Sequence, residues 1–149
     1  MAHHHHHHMA ANCIFCKIIK GDIPCAKVAE TSKALAFMDI NPLSRGHMLV
    51  IPKEHASCLH ELGMEDAADV GVLLAKASRA VAGPDGSMQY NVLQNNGSLA
   101  HQEVPHVHFH IIPKTDEKTG LKIGWDTVKV ASDELAEDAK RYSEAIAKI

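Results

Sequence analysis

The segment His106-Val107-His108-Phe109-His110-Ile111-Ile112-Pro113 sets three histidines two residues apart, with apolar residues between them. Side chains at i, i+2 and i+4 of an extended strand point to one side of a sheet. All three imidazoles therefore share a face, while Val107, Phe109 and Ile111 enter a core on the other. Each ring carries a nitrogen that titrates near neutrality, so such a face suits an anion, a metal ion or a nucleophile with supporting donors.

The histidine content is otherwise inflated by the start of the chain. Met1-Ala2 and His3 to His8 read as an expression tag (residues 1–8), with the natural start near Met9. Outside it stand His47, His55, His60, His101, His106, His108 and His110. The remaining residues, 9–149, fit a single domain, and no apolar run reaches the length of a membrane span. A formal charge of −3, with no basic block, gives no surface for polymeric DNA or RNA. Four cysteines (Cys13, Cys16, Cys25, Cys58) with no secretory signal behind the tag are expected as thiols or metal ligands in a cytoplasmic protein.

Along the chain, short strands alternate with helices, which predicts an α+β domain. Ile14, Phe15, Ile18 and Ile19 fall at helical spacing and stop at Gly21. Strands are expected near 26–30 and 34–38, and His47 to Ile51 reads as a buried strand ending at Pro52. A helix over about 65–82 carries Ala68, Val72, Leu73, Ala75, Ala80 and Val81 as its apolar stripe and ends at Gly83-Pro84. Strands over 88–94 and 104–112 flank the polar loop Asn95-Asn96-Gly97-Ser98. Ser132 is placed to cap a final charged helix.

Four blocks in order carry a family resemblance: Cys13-Ile14-Phe15-Cys16-Lys17-Ile18-Ile19 with Gly21-Asp22-Ile23-Pro24; Ala36-Phe37-Met38-Asp39-Ile40; Gly46-His47-Met48-Leu49-Val50-Ile51-Pro52-Lys53-Glu54-His55; and Gln94 to Lys114. Together they resemble the histidine triad (HIT) family, in particular the small bacterial-type members of its purine nucleoside phosphoramidate hydrolase branch. Residues 115–149 match less specifically. The resemblance implies a five-stranded antiparallel sheet with packed helices, its sheet extended across a homodimer.

It also implies a mechanism. The middle histidine, matching His108, attacks the α-phosphorus of a purine nucleotide and forms a nucleotidyl-histidine that water resolves, so two easier displacements replace one. His110, Gln102 and Asn95 match phosphate-contacting positions, and the triad as a whole, with His106, is the expected proton source for the leaving group. Phe15, Ile18, Phe37 and Ile40 match an apolar slot for the base, although the same residues also suit a plain core. Asp39 matches the carboxylate that takes the ribose hydroxyls, and as an acid before Asn41-Pro42 it also suits a turn. His47 is expected to support His108 or His106.

Cys13 and Cys16, with His55 and His106, match a structural zinc set found in some relatives; two thiols three apart also suit ordinary buried residues. No catalytic cofactor is implied. Where many relatives have glycine, this chain has His101, and Glu103 stands where some carry a hydroxyl near the leaving group. Trp125 lies in the weakly matched tail, where relatives approach a partner's site and a lone tryptophan also serves as packing. Two other readings stay open: hydrolysis of dinucleoside polyphosphates, and a non-catalytic nucleotide- or metal-binding protein using His106, His108 and His110 as one metal face.

Overall fold

The structure is a computed structural model and describes residues 7–149, so most of the tag expectation lies outside the described residues. Helix α1 (Ile14–Lys20) is followed by β1 (Lys27–Glu30), β2 (Ala34–Met38) and β3 (Met48–Pro52). A 3-10 turn (Leu59–Glu61) leads into α2 (Met64–Ala82). The chain then forms β4 (Tyr90–Leu93), β5 (Phe109–Pro113) and α3 (Ser132–Ile146). The five strands make one antiparallel sheet in the order β1-β2-β3-β5-β4. This is the α+β architecture read from the sequence.

The central strands are apolar throughout because both faces of the sheet are covered. Ala34, Ala36, Met48, Val50 and Ile111 pack with Val70, Leu73 and Ala77 of α2. Leu35, Phe37, Leu49 and Ile51 point the other way, onto Cys13, Phe15 and Cys16 around α1. His110 sits opposite Leu49 in the β3–β5 register, so it faces the α1 layer. His106 and His108 follow it at intervals of two, both in ring contact with Phe15. Val107 packs instead with Ala56 and Leu62.

Four sequence expectations shift. The strand expected over 104–112 pairs only from Phe109, because Pro52 has no N–H to extend the ladder and its carbonyl accepts from the His106 ring at 2.9 Å. The strand expected over 88–94 is confined to Tyr90–Leu93. The buried stripe of α2 is Val70, Leu73 and Ala77, while Ala68, Val72, Ala75 and Ala80 face outward; alanine-rich helices blur the apolar period. Ser132 is the first helical residue of α3 rather than its cap, which is Ala131. Gly21 closes α1 in a left-handed conformation (φ 85°), its N–H reaching Ile18 O and Lys17 O.

Candidate active site

The triad histidines are fixed in three different ways, and their tautomers follow from their partners. A backbone carbonyl only accepts, so a ring nitrogen bonded to one must carry the proton. His106, fully buried, donates from Nε2 to Pro52 O at 2.9 Å. His108 donates from Nδ1 to His106 O at 2.7 Å. Burial pushes His106 down to about 4 and lowers His108, so both rings are neutral at pH 7 and each keeps a lone pair on its second nitrogen.

His47 and His110 form a relay. The Leu43 N–H donates to His47 Nδ1 at 3.0 Å, which puts the His47 proton on Nε2. That Nε2–H lies 2.9 Å from His110 Nδ1, with Asp39 Oδ2 behind it at 3.4 Å. Burial pushes His110 down to about 4, so its one proton is on Nε2. Among the described residues, no buried side-chain nitrogen or oxygen lacks a partner. The free Nε2 atoms of His108 and His110 therefore open onto the cavity these residues line. Two rings 4.9 Å apart present a lone pair and an N–H side by side. His47 thus supports His110, not His106 or His108 as expected from the sequence.

The cavity has a volume of about 420 Å³. Phe15, Ile18, Phe37 and Leu49 form its apolar wall, Ile40 lies exposed at its edge, and Asp39, Asn95, His101 and Glu103 add polar groups. Phe15 and Phe37 serve both readings, as core residues that also line the pocket. Asp39 Oδ1 accepts from Asn41 N at 2.8 Å, so the turn and pocket roles coincide as well.

Gln102 departs from its expected place. Its Oε1 accepts from Gly97 N at 2.8 Å and its Nε2 donates to Ser57 O and Val104 O at 2.6 and 3.0 Å. Both amide protons are spent on the backbone, leaving none for a phosphate, so Gln102 pins the loop instead. Asn95 gives one amide proton to His101 O at 3.2 Å and lines the cavity with the rest. Trp125 is exposed and does not line this cavity. A separate cavity of about 510 Å³ at Ser87–Gln89 and Lys114–Glu117 holds no histidine or cysteine.

The Cys13, Cys16, His55 and His106 ligand atoms lie within 4.8 Å of one another. Cys13 Sγ is 3.3 Å from His106 Nδ1, Cys16 Sγ is 3.4 Å from His55 Nδ1 and 3.7 Å from His106 Nδ1, and the two Nδ1 atoms are 3.1 Å apart. Tetrahedral zinc bonds imply ligand separations of roughly 3.3–3.8 Å, so this donor set fits zinc. The bond to Pro52 O aims the His106 lone pair into the cluster. Burial raises the Cys16 thiol, and a divalent cation is the group that offsets such burial by holding the sulfur as thiolate. Asp39, His47 and His110 also converge, but a metal on His47 Nε2 would displace the proton that the Leu43 N–H forces there. The reading of His106, His108 and His110 as one metal face is corrected: their nitrogens serve a thiol cluster, a backbone carbonyl and a relay.

A HIT domain model matches residues 20–117. This chain belongs to the HIT family. It is 57% identical over 124 residues to an adenosine 5′-monophosphoramidase of Schizosaccharomyces pombe, covering 83% of this chain and 90% of that protein. It is 49% identical over 142 residues to the Saccharomyces cerevisiae adenosine 5′-monophosphoramidase, covering 93% and 84%. Among solved structures, a histidine triad nucleotide-binding protein from Candida albicans superposes with a TM-score of 0.84 at 43% identity, covering 92% of this chain and 99% of that one. A HIT family member from Bacillus subtilis gives 0.83 at 39% identity, covering 89% and 96%.

The backbone carbonyl expected within the strand segment to hold the His108 tautomer is His106 O. Leu43 N and Pro52 O, which fix His47 and His106, were not foreseen, and no residue-type signal announces them.

Proposed function

We propose that this HIT protein hydrolyses purine nucleoside phosphoramidates and related AMP conjugates at the α-phosphate, through a nucleotidyl-histidine intermediate. The observation that carries this reading is the complementary pair at the cavity floor: a lone pair on His108 Nε2 beside an N–H on His110 Nε2. The lone pair attacks phosphorus, and the N–H donates to a phosphate oxygen as negative charge spreads there. Asn95 adds an amide donor. The apolar wall takes the base, and Asp39 accepts from the ribose hydroxyls. Charge stabilisation at phosphorus is thus assigned to protein N–H groups, with no catalytic cofactor.

Structural zinc on Cys13, Cys16, His55 and His106 supports the same site at a distance. Bound there, it supplies cross-linking between α1 and the strand ends, not chemistry on the nucleotide. His106 would serve as its ligand while its carbonyl holds the His108 tautomer. A homodimer is supported by the unpaired edge of β4, where Tyr90 and Val92 are exposed, and by the outward Ala68, Val72 and Ala75 of α2. Free cysteines suit a cytoplasmic setting, and no helix among the described residues is long and apolar enough to cross a membrane.

The polyphosphate reading is less favoured, because the relatives matched at 57% and 49% identity are named adenosine 5′-monophosphoramidases. The test is chromatographic release of AMP from adenosine 5′-phosphoramidate by tag-free protein and by His108→Ala. Turnover that vanishes in the variant supports the reading; release of ADP or ATP from diadenosine polyphosphates, with none from the phosphoramidate, overturns it.

A further inference from the structure

Phosphoramidate cleavage needs a proton for the departing nitrogen, and the buried histidines have none to give. His108 spends its proton on His106 O, His106 on Pro52 O and His47 on His110; the proton of His110 is aimed at the phosphate. Two more ionisable side chains line the same cavity on its open side, His101 and Glu103. His101 Nε2 lies 3.6 Å from Glu103 Oε1, and both side chains are mostly exposed, at 83% and 79%.

The loop that carries them is fixed. Gly97 O accepts from Ala100 N at 3.2 Å and from Gln102 N at 3.0 Å, His101 N donates to Ser98 O at 3.0 Å, and Gln102 pins both flanks. His101 O is held by Asn95, which lines the cavity itself. At the close of this turn His101 has φ 69°, the one positive φ outside glycine among the described residues. Glycine meets that conformation without penalty and an L side chain does not. The backbone thus gives no reason for a histidine here, while the cavity that His101 lines together with Glu103 and His108 does.

We propose that His101, paired with Glu103 on the open side of the pocket, is the general acid that protonates the leaving amine and the base that then activates water. The inference rests on the phosphoramidate reading. As His108 Nε2 bonds to phosphorus, the P–N bond breaks and its electron pair takes a proton from His101 Nδ1, while His101 Nε2–H stays on Glu103. Neutral amine leaves, and His101 is neutral. Water then gives its proton to His101 as its oxygen attacks the nucleotidyl-histidine, and the P–Nε2 electrons return to His108. AMP leaves with His101 protonated again. Glu103 is a positioning residue.

The test compares two substrates by kcat/KM, which reports steps up to leaving-group departure: an AMP alkylamidate, whose amine must be protonated, and the p-nitrophenyl ester of AMP, whose phenolate need not be. The variants are His101→Asn, which tolerates a left-handed backbone, and His101→Gly, which relaxes it. Both are expected to lose about 10²-fold on the amidate and at least tenfold less on the ester. Glu103→Gln shifts the ratio in the same direction by a smaller factor. The ester also confirms that each variant has folded. Equal losses on both substrates, or no loss on the amidate, overturn the role of His101. Parent protein that cleaves neither substrate overturns the phosphoramidate reading and this inference with it.

Discussion

A histidine is a nucleophile or a donor according to which nitrogen holds its proton, and in this protein backbone atoms make that choice. The alternation from His106 to His110 was legible because a period of two is a property of any strand. The His108 tautomer was legible too, since its acceptor, His106 O, is local to the strand; those of His106 and His47 were not, because Pro52 O and Leu43 N are set by other segments and carry no residue-type signature. The His47 relay has a measurable consequence. His47→Phe removes the Nε2–H that fixes His110, so kcat should fall by about 10²-fold, similar to loss of an anion-stabilising donor. Unchanged kcat would mean His110 holds its tautomer unaided.

His110 also sets a pH limit on stability. Its folded value of about 4 lies below its ordinary 6.5. Above 6.5 neither state binds the proton and this contribution is fully present. As pH falls from 6.5 towards 4 the unfolded chain takes up the proton first, and stability drops by roughly 3 kcal/mol. Urea unfolding of tag-free protein at pH 7.5 and pH 4.5 checks the sign; greater stability at pH 4.5 would contradict it.

The elements were read well where side-chain pattern governs them and poorly where a partner element does. β2 and β3 are continuous apolar runs because both sheet faces are covered, and α1 ends where Gly21 permits a left-handed turn. β5 starts later than its pattern suggests because its neighbour ends in proline. α1 itself is seven residues long, too short to persist alone, and is held by Phe15 and Cys16 packing and by the contacts of Cys13 and Cys16 with His55 and His106. Cys13→Ser with Cys16→Ser should abolish stoichiometric zinc in elemental analysis and lower stability by several kcal/mol. Tag-free protein is required, since the His8 ring lies 5.9 Å from His55. A parent free of zinc after purification without chelator, and unaffected by added zinc, would leave the four residues as packing.

At the scale of the whole molecule, apolar surface is left over. Tyr90 and Val92 sit on an unpaired edge, and Ile123, Trp125, Val128, Tyr142 and Ile146 are exposed along a C-terminal segment whose helix has no buried residue. The family resemblance is least specific over this tail, and local patterning could not say what covers it, because the covering surface is not local to the chain. Analytical ultracentrifugation should give twice the chain mass, and Val92→Lys with Val72→Glu should shift it to monomer. A parent that sediments as monomer at micromolar concentration would contradict the dimer.

His108 as the nucleophile is the step on which the proposed hydrolysis turns. Rapid acid-free quenching of tag-free protein with adenosine 5′-phosphoramidate, followed by intact and peptide mass spectrometry, reads that bond directly. One adenylyl group on His108, formed and lost at the rate of turnover and missing in His108→Ala, is the predicted result. AMP release that continues in His108→Ala, or an adduct on another residue, would contradict it.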